Sequence, residues 1–290
     1  MAKTKYGHLV KTMPVQKGPG GANAREIIWM FGKELEGFNL NFALGRYEET
    51  GVWHPWAGPH VHPTYDECLL FFGHDTANLG YLGAEFEITL GKEQEKHVFN
   101  TPSIVILPAG VPHCPLVTKK IDKPFVHGHI ILGPEDKVEW WHKDSKPIAT
   151  TGSKYSHLIK PLNVQKAPGG ARAKELVWMM GDQLEGFSLN LALGLGKETG
   201  QWYKGHGAQV HPYDECLIFF GHDTTNLGYL GAELEIALGK EQEKHTFNVP
   251  TVVVVPRGLP HLPFVVKRVD KPFGFIMYGL GPKHEASWID

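Results

Sequence analysis

The sequence has little cysteine and no excess of charge of either sign. Its 290 residues include three cysteines, and the formal net charge is −2. A small, odd number of cysteines argues against a disulfide framework and favours reduced thiols in the cytoplasm. The nearly balanced charge leaves no extended basic face for a phosphate backbone. We therefore expect no nucleic-acid partner.

Long apolar runs are also missing. No window approaches the roughly 18 apolar residues that cross a bilayer as a helix. The N-terminal stretch MAKTKYGHLVKTMPVQKGPGG contains no apolar segment typical of a secretory signal. These two absences predict no membrane partner and a cytoplasmic location.

The sequence does contain an internal duplication. Residues 73–100 and 221–248 differ at four positions, and the similarity extends through both halves of the chain. Two copies are too few for a solenoid, and each copy is long enough to hold its own core. We therefore predict two tandem domains, 1–148 and 149–290.

The elements within each copy have the pattern of β-strands. FNLNFAL at 38–44 and EFEITL at 85–90 alternate apolar and polar residues, and the second copy repeats both patterns. Glycine and proline interrupt the chain at short intervals, which favours a sandwich or barrel. The only helical candidates are the tails EDKVEWWHKD and KHEASWID. The fold class predicted is all-β.

A group of metal-binding residue types lies in GPHVHPTYDECLLFFG, at 58–73. His60 and His62 are separated by one residue, so on a strand both side chains point to the same face. A turn at 63–65 resets the strand register and lets Glu67 join them. His113, which follows the turn in PAGVPHCP, is the fourth member. Three imidazoles and one carboxylate are thus expected to converge inside a barrel.

These motifs resemble the two characteristic motifs of the cupin superfamily, and their duplication resembles a bicupin. The residues that carry the resemblance are Gly58, His60, His62, Glu67, Gly73, Pro108, Gly110 and His113. The resemblance implies two tandem antiparallel cupin β-barrels of the jelly-roll type, each with an ion inside the barrel mouth. It also implies that His60, His62, Glu67 and His113 are the metal ligands.

The donor types agree with a divalent transition metal. Three neutral nitrogens and one anionic oxygen suit Mn, Fe, Co, Ni or Zn, and octahedral geometry leaves two positions for substrate or water. Mn or Fe is the expected cofactor. Histidines buried for structural reasons are the alternative, but four ligand-type residues at these spacings favour a metal site.

The second copy has one altered position. GAQVHPYDECLIFFG keeps His211 and Glu215, and His261 follows in PRGLPHLP, but Gln209 stands where the first copy has His60. An amide oxygen is a weaker donor than an imidazole toward a transition metal. The second site is therefore expected either to hold an ion weakly or to hold none, and to contribute mainly structure.

A late strand differs between the copies in the same direction. FVHGHII places His127 and His129 on one face, where the second copy has Phe275 and Met277. If that face points inward, either histidine is a candidate general acid or base beside the metal. A hydrogen-bonded structural pair is the alternative. The first half is thus predicted to be the reaction chamber.

Three functions remain open from the residues. The first is a redox-neutral metal enzyme that stabilises the enolate of a small 1,3-diketone or related carbonyl compound and permits hydrolytic C–C cleavage. The second is an iron-dependent dioxygenase of aromatic or diketone compounds. The third is a non-catalytic bicupin that binds a small molecule. Monomer and homo-oligomer are both open.

The resemblance weighs among these functions. Glu67 is retained, unlike in ring-cleaving bicupins of the gentisate type, and no arginine precedes His60 as in oxalate-acting bicupins. Storage globulins have generally lost the ligands, whereas the first copy has all four. The module is also similar to the dihydrophloroglucinol cyclohydrolases, which open a cyclic 1,3-diketone by hydrolysis. The resemblance therefore implies a small-molecule hydrolase.

Overall fold

Antiparallel β-strands make up most of the regular structure. The computed structural model describes residues 4–19, 24–53, 58–75, 78–141, 154–167, 173–202, 207–223 and 226–289. The helices in these ranges are single 3₁₀ turns at Gly7–Leu9, Gly32–Glu34, Ser156–Leu158 and Gly181–Gln183. No helix in the described part of the chain has the length and apolar character needed to cross a membrane.

The strands are numbered in chain order. In the first half they are β1 Val10–Thr12, β2 Val15–Lys17, β3 Glu26–Met30, β4 Asn41–Tyr47, β5 Gly51–Val52, β6 His60–Val61, β7 Glu67–Gly73, β8 Ala84–Leu90, β9 Glu95–Phe99, β10 Ser103–Leu107, β11 His113–Ile121, β12 Phe125–Ile131 and β13 Glu139–Trp140. In the second half they are β14 Ile159–Pro161, β15 Val164–Lys166, β16 Glu175–Met179, β17 Asn190–Gly196, β18 Gly200–Gln201, β19 Ala208–Val210, β20 Glu215–Gly221, β21 Ala232–Leu238, β22 Glu243–Phe247, β23 Thr251–Val255, β24 His261–Val269, β25 Phe273–Gly279 and β26 Ser287–Ile289.

Two compact units divide these strands, and each unit contains two sheets. The first barrel, residues Val15–Leu162, has sheets ordered β14-β10-β7-β12-β4-β3-β2 and β13-β6-β11-β8-β9, with β5 paired to β11. The second barrel, Met1–Pro14 with Asn163–Asp290, has sheets ordered β1-β23-β20-β25-β17-β16-β15 and β22-β21-β24-β19-β26, with β18 paired to β24.

The short segment that opens each half belongs to the unit formed mainly by the other half. β1 pairs with β23 in the second barrel, and β14 pairs with β10 in the first. The predicted division at residues 148 and 149 falls within 142–153, outside the described residues, and stays a prediction. The sequence repeat did not predict this exchange of β1 and β14, because strand pairing depends on which sheet edges lie close together in the folded chain.

The core of the first barrel lies between its two sheets. Phe71 on β7 and Phe125 on β12 contribute from one sheet, and Phe86 on β8 contributes from the other. The Phe86 ring lies 4.7 Å from the centroids of both other rings. All three side chains are fully buried, and each such burial contributes about 1.5 to 3 kcal/mol. The alternation in β8 arises because Phe86 faces this core while Glu85 and Glu87 face outward.

In their described residues, 135–141 and 283–289, the two tails predicted as helices contain short strands instead. β13 pairs with β6, and β26 pairs with β19. The helical prediction is wrong because β6 and β19 are strand edges whose backbone groups need partners, and the tails supply them. The residues just before these tail strands are consequently held beside His62 and His211.

A tyrosine in each opening segment packs on a glycine. In the second barrel, Tyr6 lies against Gly239. Its hydroxyl donates a hydrogen bond to Glu241 (2.8 Å), and its backbone N–H donates one to the Glu243 carboxylate (3.1 Å). Gly239 has a φ of +75°, and a β-carbon there would collide with the Tyr6 ring. Tyr155 lies on Gly91 in the first barrel in the same way.

We predict that Gly239→Ala destabilises the protein more than Gly258→Ala. Gly258 has nearly the same φ, +76°, but open space where a β-carbon would be. Each substitution therefore carries a backbone cost of about 1 to 2 kcal/mol, and only Gly239→Ala adds about 1 to 3 kcal/mol from the collision with Tyr6. Denaturant unfolding of both variants measures the difference. Equal losses would contradict close packing of Tyr6 on Gly239.

Candidate metal centres

Three histidines meet at one end of the first barrel. His60 on β6 and His113 on β11 are directly paired across the strands, and His62 follows β6. Their ligand atoms all lie within 4.8 Å of one another. The ring centroids are 4.2 Å apart for His60 and His113, and 5.5 Å apart for the two pairs that include His62.

Glu67 reaches this cluster from the other sheet of the barrel. The turn after His62 separates β6 from β7, and Glu67 is the first residue of β7. Its Oε2 lies 3.3 Å from Nε2 of His62 and 3.1 Å from Nε2 of His113. The carboxylate is buried, with 2% of the side chain exposed. The structure therefore brings together the four residues predicted as ligands.

Backbone carbonyl groups orient the three rings. Nδ1–H of His62 donates to Lys137 O at 3.0 Å, that of His113 to Val111 O at 3.2 Å, and that of His60 to Gly58 O at 3.4 Å. A carbonyl oxygen only accepts, so Nδ1 carries the proton and the Nε2 lone pair remains available. Partners of this kind commonly fix metal-ligating histidines.

Buried atoms without hydrogen bonds show that the residues fit a metal ion. Nε2 of His62 and Oε2 of Glu67 form no hydrogen bond within the described residues. Buried polar atoms are normally paired, because leaving one unpaired costs about 1 to 3 kcal/mol. An ion between these donors would satisfy both. Nitrogen and carboxylate oxygen in this ratio suit a divalent transition metal.

The electrostatic environment keeps His60 neutral and Glu67 anionic, which are the forms that bind a metal ion. Burial, reinforced by the neighbouring His113, lowers the pKa of His60 to about 3. Burial alone would raise the pKa of Glu67, but His113 and His129 hold it well below its usual value. Near neutral pH the cluster thus consists of a neutral imidazole beside an anionic carboxylate, as metal binding requires.

His129 is placed against the same carboxylate. On β12 its Nε2 lies 2.7 Å from Oε1 of Glu67, the oxygen not directed at His62 and His113. The ring stands edge-on to Trp29 at a centroid distance of 5.9 Å. Burial tends to lower the pKa of His129, but Glu67 outweighs that effect and the pKa is raised. The structure thus puts one of the two candidate acid–base histidines at the cluster.

His127 lies deeper in the first barrel. Its Nδ1–H donates to Leu70 O at 3.2 Å. The ring packs against Phe71 at 4.6 Å, Trp53 at 5.0 Å and Tyr47 at 5.8 Å between centroids. His127 and His129 share the inward face of β12 as predicted, but only His129 contacts Glu67.

The second barrel repeats the arrangement around Glu215. Its ligand atoms lie within 4.8 Å of those of His211 and His261, with Nε2 of His261 at 3.1 Å and Nε2 of His211 at 3.5 Å from the carboxylate. Nε2 of His211 and Oε2 of Glu215 lack hydrogen bonds in the part of the chain that is described. The atoms left unpaired are therefore the same in both barrels.

The residues that replace the histidines of the first copy line a small cavity beside Glu215. Gln209, Phe275 and Met277 all border it, and its volume is about 40 Å³. Phe275 packs against Trp202 at 5.6 Å between centroids, as His127 does against Trp53. The second barrel therefore has two apolar side chains where the first has two imidazoles.

Sequence reasoning missed the residues that follow the late strand in each half. Asp136 lies 3.3 Å from Nδ1 of His62, and Lys137 supplies the carbonyl that orients the same ring. In the second barrel, Glu285 supplies that carbonyl to His211 at 2.6 Å, and His284 lies beside the ring. The available signal was the change from PEDK to PKHE in otherwise similar tails.

No protein-family model matches the sequence, and no curated protein matches it. Solved structures do share its fold. One, concerned with substrate binding and a reaction specificity switch in oxalate decarboxylase, aligns with a TM-score of 0.63 and 10% identity over 97% of this chain and 79% of that one. A variant of the Bacillus subtilis oxalate decarboxylase aligns with a TM-score of 0.62, 10% identity and the same coverage.

A third similar structure is the formate complex of Lactobacillus farciminis oxalate decarboxylase. It aligns with a TM-score of 0.62 and 11% identity over 97% of this chain and 88% of that one. Similarity at this level of identity concerns the fold. It confirms the predicted all-β architecture of two antiparallel barrels.

We predict that Glu67→Gln lowers the metal content of the full-length protein. The amide keeps the shape of the side chain but removes the anionic donor, so the first barrel loses its ion. Metal analysis by mass spectrometry after dialysis against Mn²⁺ measures this. At about 100 times Kd, the ion should also raise the free energy of unfolding of the wild type by about 2.7 kcal/mol for each occupied site. The variant should lack the contribution of the first site.

The matched control is Glu87→Gln. Glu87 is a surface carboxylate of the same barrel, paired with Lys96 and Lys119 at 2.8 and 3.3 Å. Its substitution should leave the metal content unchanged. Wild-type metal content in Glu67→Gln would contradict the ligand assignment.

Proposed function

We propose that the protein is a metal-dependent enzyme that opens or cleaves a small enolisable carbonyl compound of the 1,3-diketone type by hydrolysis, as the dihydrophloroglucinol cyclohydrolases do. The observation that carries the proposal is the buried carboxylate of Glu67, placed between a three-histidine cluster and His129. A protein that only stores or binds a molecule has no need for an acid–base group at that position.

His60, His62, Glu67 and His113 would hold the ion, with Mn or Fe as the preferred metals. When bound, a divalent ion supplies Lewis acidity that polarises a carbonyl oxygen and stabilises an enolate. The donor set does not select between the two metals, because ligands of this type bind several divalent ions.

His129 would transfer the proton that hydrolysis moves from water to carbon. Hydrolysis adds the oxygen of water to one carbonyl carbon and breaks its bond to the adjacent carbon, whose electron pair must be protonated. Nε2 of His129, held 2.7 Å from Glu67, is positioned to accept a proton from the attacking water and then to deliver it to that carbon. The raised pKa of His129, in which Glu67 outweighs the effect of burial, favours the proton-carrying form.

His127 would contribute polarity at the bottom of the chamber. Its ring is surrounded by Tyr47, Trp53 and Phe71, so it is the second candidate acid–base group rather than the first. Aromatic walls of this kind suit a flat, neutral ring better than a fully hydrated ion.

The charge around the cluster supports a neutral or weakly anionic substrate. The carboxylates of Glu67 and Asp136 both contact His62, so they would offset most of the charge of a bound divalent ion and leave little attraction for a dianion such as oxalate. The three similar structures described above are oxalate decarboxylases, but at about 10% identity their substrate does not transfer to this chain. The second barrel would serve mainly as a structural partner in catalysis.

The first test is an assay with cyclic 1,3-diketones under air and under strictly anaerobic conditions. We expect purified protein reloaded with Mn²⁺ or Fe²⁺ to open the ring at the same rate in both, because hydrolysis consumes only water. Substrate loss and acid release are measured together. Activity that requires O₂ would instead favour the iron-dependent dioxygenase, and binding without turnover would favour the non-catalytic alternative.

We further predict that His129→Met lowers kcat by a factor of about 10² to 10⁴, the usual contribution of a positioned acid–base group. Methionine is the residue that the second barrel has at this position, Met277, so the volume is tolerated by the fold. Metal content should stay at the wild-type level, which separates proton transfer from ion binding.

Met277→Leu is the control for His129→Met, because a volume-conserving change in the second barrel should leave kcat intact. His127→Phe compares the two histidines and copies Phe275. A loss of kcat in His127→Phe equal to or larger than that in His129→Met would contradict the assignment of proton transfer to His129.

A further inference from the structure

A histidine outside the repeated motifs stands beside the second cluster. His284 lies between β25 and β26 and is half-buried. Its ring is 5.1 Å from that of His211 and edge-on to Trp178 at 4.7 Å. With Gln209, Glu215 and His261 it lines the same small cavity. Tyr213 positions it, with the hydroxyl oxygen 3.4 Å from Nδ1.

The first barrel has its extra histidine in the same surroundings but on a different element. Trp29 and Trp178 occupy the same position in the two copies. His129, on the late strand, is edge-on to Trp29, whereas the late strand of the second copy has Met277. The tail position that holds His284 has Asp136 in the first copy. Each barrel thus has one histidine next to this tryptophan in addition to those of the repeated motifs, but on a different element.

We propose that the second barrel binds its own divalent transition-metal ion through His211, Glu215 and His261, with His284 as fourth ligand in place of Gln209. This set has three imidazoles and one carboxylate, the same donors as the first site. It compensates for the weaker amide donor at position 209.

The spacing of two ring pairs supports this set. In the first barrel the three clustered imidazoles have centroids 4.2 to 5.5 Å apart. In the second barrel His211 is 5.2 Å from His261 and 5.1 Å from His284, within that range. His284 is not among the residues whose ligand atoms already lie within 4.8 Å of one another, so ligation requires its ring to move toward Glu215.

The unpaired atoms and the cavity support an ion at this place. Nε2 of His211 and Oε2 of Glu215 are buried without hydrogen bonds among the described residues. The adjoining cavity of about 40 Å³ has room for an ion's water ligand, which needs roughly 10 to 15 Å³. It is too small for a ring-sized substrate. The inference therefore does not depend on the reaction proposed for the first barrel.

Metal stoichiometry tests the proposal on the full-length protein. We expect chelator-treated wild type to bind two Co²⁺ per chain in a titration followed by absorption and mass spectrometry. His284→Ala should weaken the second ion by at least about 10-fold, because even partners of metal ligands commonly contribute 10- to 100-fold. Gln209→Ala is the matched control and should still bind two. His211→Ala should bind one.

Rescue with free imidazole separates ligation from folding. Added imidazole should restore the second Co²⁺ and its absorption band in His284→Ala, because the truncated side chain leaves space for the missing donor. It should not do so in His211→Ala, in which a ring needed at the centre of the cluster is absent. Circular dichroism and thermal unfolding check that both variants remain folded.

Three results would overturn the proposal. One is full retention of the second ion, with unchanged affinity and spectrum, in His284→Ala. Another is loss of that ion in Gln209→Ala but not in His284→Ala. The third is a wild type that binds one ion per chain and keeps it in His211→Ala. None of these results bears on hydrolysis by the first barrel, which is measured by activity.

Discussion

A buried carboxylate surrounded by imidazole nitrogens is the constraint on which both barrels depend. Glu67 and Glu215 have 2% and 1% of their side chains exposed, and an uncompensated charge at such a place costs several kcal/mol. The Nε2 atoms of His62, His113 and His211 offer lone pairs and not protons, because the Nδ1–H groups of these rings donate to backbone carbonyls. A divalent cation satisfies the carboxylate and the lone pairs together. The turn before each glutamate brings its carboxylate to the histidines, and the tail after each late strand supplies a carbonyl that orients one of the rings.

The same constraint explains how two copies of one module diverge. Each keeps the buried glutamate with two histidines from the repeated motifs, while the remaining surroundings change. The first barrel places His129 against the free oxygen of Glu67. The second has Met277 at that position and brings His284 in from the tail. One barrel thus has a histidine against its buried carboxylate, and the other has apolar side chains there while retaining ion-binding residue types.

Much of the fold follows from local pattern. Alternation in residues 85–90 identified β8 because the apolar face of a half-buried strand must meet a core. The repeat identified two similar barrels, and the solved structures that share the fold agree. The tails were predicted incorrectly because their conformation depends on hydrogen bonds to the edges of β6 and β19. The exchange of opening strands escaped prediction for the same reason, since the pairing of β1 with β23 joins residues distant in sequence.

The candidate site, like the fold, was predicted from the sequence only in part. Motif spacing alone brought His60, His62, Glu67 and His113 into one group, because residues two apart on a strand share a face and a turn resets the register. It could not rank His127 against His129, since both share the inward face of β12 and only depth in the barrel puts one of them on Glu67. Nor could it associate His284 with the second cluster. Sequence by itself determined the residue types, their periodicity and the duplication. Only tertiary structure decided which side chains from different strands meet, because those distances are set by how two sheets pack and not by separation along the chain.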